Sequence, residues 1–107
     1  MTGEEANELI ERMPYINTNP LMVSNDKMRL EMYNSALNSD DPVEWVRLVK
    51  TDYIRRKDKA ARKYPSQEEM EIALRAKNQL HATLAMALDI QQAELEKYIE
   101  NRISESF

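Results

Sequence analysis

The chain has no cysteine. A disulfide framework and a thiolate-bound metal centre are therefore excluded, and a reducing, cytoplasmic setting is the expectation. It has one glycine, Gly3. Phosphate-cradling loops need several glycines to bring backbone N–H groups close to phosphate, so Rossmann and Walker-type nucleotide sites are excluded. The same scarcity removes the usual chemistry of tight β-hairpins. There is one histidine, His81, with no second histidine or cysteine to converge on it. A catalytic or ligating role needs a constellation, so His81 reads as a residue at the edge of a core. No apolar run approaches the roughly 20 residues needed to cross a bilayer, and Met1–Glu5 lacks the apolar core of a signal peptide.

What is present favours helix. Alanine, leucine, glutamate, lysine, arginine and methionine dominate, and 107 residues correspond to one domain, 1–107. Caps and periodicity place about five helices. Thr2 and Glu5 form a capping box before Ala6, Leu9, Ile10 and Met13, and Pro14 stops that helix. After a connector over 15–23, Ser24 opens a second helix with Met28, Met32 and Ala36 on one side and Tyr33 and Leu37 beside them. Asp41-Pro42-x-Glu44 is the strongest start signal: a cap, a proline at the first helical position and the glutamate of a box. The third helix is expected over about 42–63, with Trp45, Val46, Val49, Tyr53, Ala60 and Tyr64 inward. Ser66-x-x-Glu69 opens a fourth over about 67–88, striped with Met70, Ala73, Leu74, Leu80, Leu84, Ala87 and Leu88. Asp89-x-x-Gln92 caps a last helix carrying Leu95, Tyr98, Ile99 and Ile103, and Ser104–Phe107 is its expected tail. The expected fold is an all-α compact bundle whose third and fourth helices are the long central pair.

Acid–base catalysis needs a carboxylate in a pKa-shifting environment. The many glutamates instead fall on solvated faces and first helical turns, where they complement the helix dipole. Most of the seven methionines (Met13, Met28, Met32 and Met70) and Trp45 sit at core spacing. The expectation is a protein without catalytic residue, metal or cofactor. The net charge of −4 hides an asymmetry. Between Arg47 and Lys63 stand Arg47, Lys50, Arg55, Arg56, Lys57, Lys59, Arg62 and Lys63, opposed only by Asp52 and Asp58, a net of +6. Such a helix face suits a phosphate backbone. Contact with ~4–6 phosphates would give a log-affinity slope against log salt of roughly −4 to −5. The stretch is poor in acidic residues four positions away, unlike an ordinary solvated helix. An acidic protein, or the acidic remainder of another copy, is the other partner such a face fits.

Three segments carry a family resemblance. "NSDDPVEWVRLVKTDYIRRK" (38–57) is similar to the CarD-family stretch in which a short break opens a helix ending in an aromatic followed by arginines. "RAKNQLHATLAMALDI" (75–90) is similar to that family's helix with an Ala-Lys/Arg start and a Leu-Ala-x-Ala-Leu finish, and "TGEEANELIERMP" (2–14) to its short preceding helix. Order, spacing and combination carry the likeness, over nearly the whole chain. It implies the C-terminal helical domain of a bacterial transcription regulator. In that family an N-terminal Tudor-like β-domain, not part of this stretch, binds the RNA polymerase β subunit. The helical domain contacts promoter DNA at the upstream edge of the melted region and stabilises the open complex. Some members wedge a tryptophan into the minor groove. Alignment on Asp41 puts Asp26 at that position, and puts Glu31 and Met70 at positions that are basic in the family. With those positions acidic or apolar, the expected DNA contacts are instead weak, electrostatic phosphate contacts through the eight third-helix cations.

Overall fold

The computed structural model describes residues 1–18, 25–57 and 64–103. Among them are five α-helices and no strand: α1 (Gly3–Arg12), α2 (Asp26–Leu37), α3 (Pro42–Lys57), α4 (Gln67–Leu88) and α5 (Gln92–Ile103), with a 3-10 turn at Met13–Tyr15. None is long and apolar enough to cross a membrane. The all-α bundle is as expected. The stretch 58–63, the expected helix opener Ser24 and the tail Ser104–Phe107 lie outside the described residues.

Local chemistry sets the ends. Thr2 Oγ1 accepts from Glu5 N–H at 3.1 Å while Glu5 Oε1 accepts from Thr2 N–H at 3.0 Å, so both members of the box satisfy a donor that the helix start leaves over. Ser66 and Glu69 repeat the arrangement at 3.1 and 2.9 Å. Asn25 caps α2, its Oδ1 accepting from the N–H groups of Lys27 and Met28. Asp41 caps α3 through Val43 N–H at 3.0 Å, but the box expected there is incomplete. The Asp41 N–H goes to Ser39 Oγ at 3.1 Å, and Glu44 turns to Arg47 at 2.7 Å. Asp89, expected to open α5, instead closes α4. Its backbone is left-handed (φ 55, ψ 46). Its N–H donates to Met86 at 3.3 Å and that of Ile90 to Ala85 at 3.1 Å, the paired bonds of a Schellman ending.

The core forms around α4, which packs against all four other helices and most extensively against α3. Ile10, Met13, Val46, Leu48, Leu80, Leu84, Leu95 and Ile99 are essentially sealed from solvent. Each aliphatic side chain so buried contributes about 1.5–3 kcal/mol relative to exposure. Trp45 is in the core as expected, its indole N–H donating to the Ser39 carbonyl at 3.1 Å. His81 is half-buried.

The phase of α3 differs from expectation. Its buried residues are Trp45, Val46, Leu48, Thr51, Asp52 and Arg55. Tyr53 and Tyr64 are 58% and 51% exposed, and Ala60 lies outside the described residues. The inward stripe follows 45, 48, 52 and 55, a spacing that keeps one face toward a partner helix and here includes two charged residues. Leu74 and Met28, expected inside, are each 54% exposed. Met32, Met70, Ala87 and Leu88 are half-buried, while α4 buries Glu69, Ile72 and Ala76.

Candidate nucleic-acid interface

A phosphate contact needs a cation that reaches solvent. The eight expected cations do not share one fate. Lys50 is spent on the backbone. Its Nζ donates to the carbonyls of Met13 (2.9 Å), Pro14 (3.4 Å) and Ile16 (2.6 Å). These are acceptors of the kind a helix ending leaves over, and an ammonium near a helix C-terminus also meets its dipole favourably. Arg47 donates to the Asn17 carbonyl at 3.0 Å and to Glu44 Oε1 at 2.7 Å.

Arg55 is a correction to the expected interface. It is only 4% exposed. Its Nη1 donates to the Tyr33 hydroxyl at 2.8 Å and to Glu69 Oε2 at 2.9 Å, and its guanidinium carbon lies 5.5 Å from the Tyr33 ring centroid. Tyr33 donates in turn to Asp52 Oδ1 at 3.2 Å. Asp52 pairs through its other oxygen with Arg56 Nε at 2.7 Å. From α2, Arg29 approaches Glu69 at 3.7 Å and also pairs with Asp26. One polar network thus joins α2, α3 and the first turn of α4. Burying a charge is costly unless it is paired and hydrogen-bonded, and here each buried charge meets an opposite one.

The titration of the network follows from its placement. Burial pushes the Asp52 carboxyl above its ordinary value of 3.8, against Arg56 and the Tyr33 hydroxyl, which pull it down. Burial, then the Asp52 charge, drives the Tyr33 phenol well above its usual range. For Glu69, burial acts upward, but the hydrogen bonds from Arg55 and Ser66 and the Arg55 charge outweigh it, so the carboxyl sits below 4.5. Burial opposes the charge of Arg55, and Glu69 and Tyr33 more than restore it. These shifts have structural causes and need no substrate to explain them.

The outward cations lie at the end of α3. Arg56 has a side chain 45% exposed. Lys57 is exposed, its Nζ 4.4 Å from the centroid of the exposed Tyr53 ring. Lys59, Arg62 and Lys63 lie outside the described residues. Asp26 and Glu31, where the family resemblance looks for a tryptophan and a base, are exposed acids, and Met70 is half-buried.

Beside the Tyr53 ring runs a groove of about 160 Å3 between α3 and α4, lined by Val49, Asp52, Tyr53, Arg56, Ala73, Leu74 and Lys77. The sequence reading missed it because it placed Tyr53 and Leu74 inside. The signal available was the i, i+4 step Val49–Tyr53, which a shift of about one residue in phase turns from core to groove wall. Among the described residues no three His, Cys, Asp or Glu side chains converge as metal ligands. No family model matches the chain, and no curated protein or solved structure is similar to it at a significant level.

Proposed function

We propose that the chain acts by binding rather than catalysis, as the promoter-DNA-proximal helical domain of a CarD-like regulator of bacterial RNA polymerase. In this reading it needs no cofactor or metal, and polymerase is engaged through an upstream β-domain of the kind the resemblance implies. The observation that carries the DNA contact is the outward end of α3, where Arg56 and Lys57 flank an exposed tyrosine ring. Cations beside an aromatic can meet phosphate and a base face together. The surface is smaller than the sequence suggests, because Arg47, Lys50 and Arg55 are already bonded within the chain. Arg56 and Lys57, with Lys59, Arg62 and Lys63, make at most five phosphate contacts, a log–log salt slope of roughly −2 to −4.5.

The test is fluorescence anisotropy with a labelled promoter fork junction, titrated with salt from about 25 mM, where surface charge is little screened. Binding that weakens along that slope and is lost in Lys57→Glu/Lys59→Glu supports the reading. Binding unchanged by those substitutions, or none at low salt, sinks it. A second reading is a helical protein-interaction module whose basic face meets an acidic partner without nucleic acid. The groove between α3 and α4 favours it.

A further inference from the structure

Tyr53 and Leu74 are large apolar side chains, each more than half exposed, and they line the same groove, one from α3 and one from α4. Singly exposed apolar residues are ordinary. Two that meet over a concavity mark a contact surface. Val49 and Ala73 also line it, so an apolar anchor entering from outside would meet four apolar side chains beside the charged ones. About 160 Å3 is on the scale of the roughly 150 Å3 cavity that takes up a benzene ring, enough for one large aliphatic or aromatic side chain.

The exposed charges of the groove lining are positive. Arg56 lines the α3 wall and Lys77 the α4 wall, with the exposed Lys57 next to Arg56 in the chain. The single carboxylate among the lining residues, Asp52, is 4% exposed and already bound by Arg56 and Tyr33. Lys77 lies 3.8 Å from Glu96 of α5, a pair 38% and 58% exposed, and exposed pairs of this kind hold their partners weakly. The chain as a whole carries −4, so a basic-rimmed apolar slot is a local exception that selects for an acidic occupant.

We propose that the α3–α4 groove receives an acidic amphipathic helix of a partner protein, one large apolar side chain inserting between Tyr53 and Leu74 and flanking carboxylates pairing with Lys77 and Arg56. Two helices already form the walls, and a helix laid into such a channel presents anchors at i, i+3 and i+7. The inference rests on the protein-partner reading and names the chemistry of that partner.

The experiment uses the full chain and a short helical peptide with leucines at i, i+3 and i+7 and glutamates on the flanks. Binding is followed by fluorescence polarisation, and the site by amide shift changes in two-dimensional NMR. The expected result is shift changes centred on Val49, Tyr53, Leu74 and Lys77, with affinity about tenfold weaker in Leu74→Glu and in Lys77→Glu, as for anchors at the centre of an interface. Leu74 is exposed, so its substitution is not expected to unfold the chain. Leu74→Ala serves as a milder variant, and circular dichroism checks the fold of each. A peptide with lysines replacing the glutamates should bind wild type weakly and recover affinity for Lys77→Glu. Shifts confined to the Lys57 end overturn the groove assignment while leaving an acidic partner in place. No shifts at saturating peptide overturn both, and shifts at Leu74 and Lys77 with fork DNA but not peptide assign the groove to nucleic acid instead.

Discussion

The two ends of α4 are held by different physics. At its N-terminal end, Glu69 is clamped by Arg55 and its own cap Ser66, with Tyr33 and Asp52 behind. At its C-terminal end, Leu80, Leu84 and Ala85 share a wholly apolar core with Ile10, Leu95 and Ile99. The apolar end loses stability in proportion to what is cut away. The polar end is different, because removing one partner leaves another charge buried without compensation.

The largest effect expected from this contrast is in Glu69→Ala. Breaking the buried Arg55–Glu69 pair costs about 3–5 kcal/mol, and losing the Glu69 half of the Ser66–Glu69 box about 0.5–1 kcal/mol more. Leu84→Ala at the other end should cost about 2–5 kcal/mol. Urea unfolding compares the two, and a Glu69→Ala loss smaller than that of Leu84→Ala would break the comparison. Replacing Arg55 and Glu69 together by methionine should restore most of the loss, because the buried pair is then removed as a whole and Arg29 keeps Asp26.

A smaller effect sharpens the contrast through pH. Glu69 is held below 4.5 in the folded chain. Its stabilisation is therefore present above that value and fades as pH falls through the lower folded value. Asp52 is raised above 3.8 and acts in the opposite sense. Its contribution is full below that value and is lost as pH rises through the folded one. Stability should therefore rise slightly on mild acidification, as Asp52 takes up its proton, and then fall. Thermal unfolding across pH 3–7 (a range on the order of the carboxylate titration) should show the acid fall flattened in Glu69→Gln and the mild rise flattened in Asp52→Asn. Leu84→Ala should shift the whole curve without changing its shape.

The smallest effect is at Asp89. A left-handed backbone at a non-glycine residue is strained. Asp89→Gly should gain at most about 1 kcal/mol, the left-handed penalty of about 1–2 kcal/mol less the chain entropy that glycine adds to the unfolded state, read as a thermal midpoint a few degrees higher. A lower midpoint would mean that the aspartate side chain contributes more at this corner than the backbone strain costs.

What was legible in the sequence is what is local. The Thr2–Glu5 and Ser66–Glu69 boxes and the Asp41-Pro42 start satisfy donors within a few residues, so composition and spacing reveal them. The phase of α3 was not legible. Asp52 and Arg55 share the stripe of Trp45 and Leu48, but two charges look like surface until Tyr33 and Glu69 arrive from other helices to satisfy them. The missing i, i+4 acids were misleading for the same reason. Arg55 has its acid 14 positions away, and Lys50 takes carbonyls more than 30 positions back. Asp89 was misassigned because its side-chain type suits both a helix start and a left-handed stop. The basic end of α3 was legible as charge, and the groove beside it was not, since it exists only where two helices meet.

The pairing of α1 with α5 has a consequence for synthesis. Tyr98 donates to Asn7 at 2.6 Å and Arg102 to Glu11 at 2.9 Å, each across 91 positions. At 5–20 residues per second, the ribosome delivers those partners on the order of 5–20 s after α1 emerges. Throughout that interval the apolar face of Leu9 and Ile10 has no α5 to cover it, so nascent chains stalled before α5 are the ones a chaperone would be expected to hold.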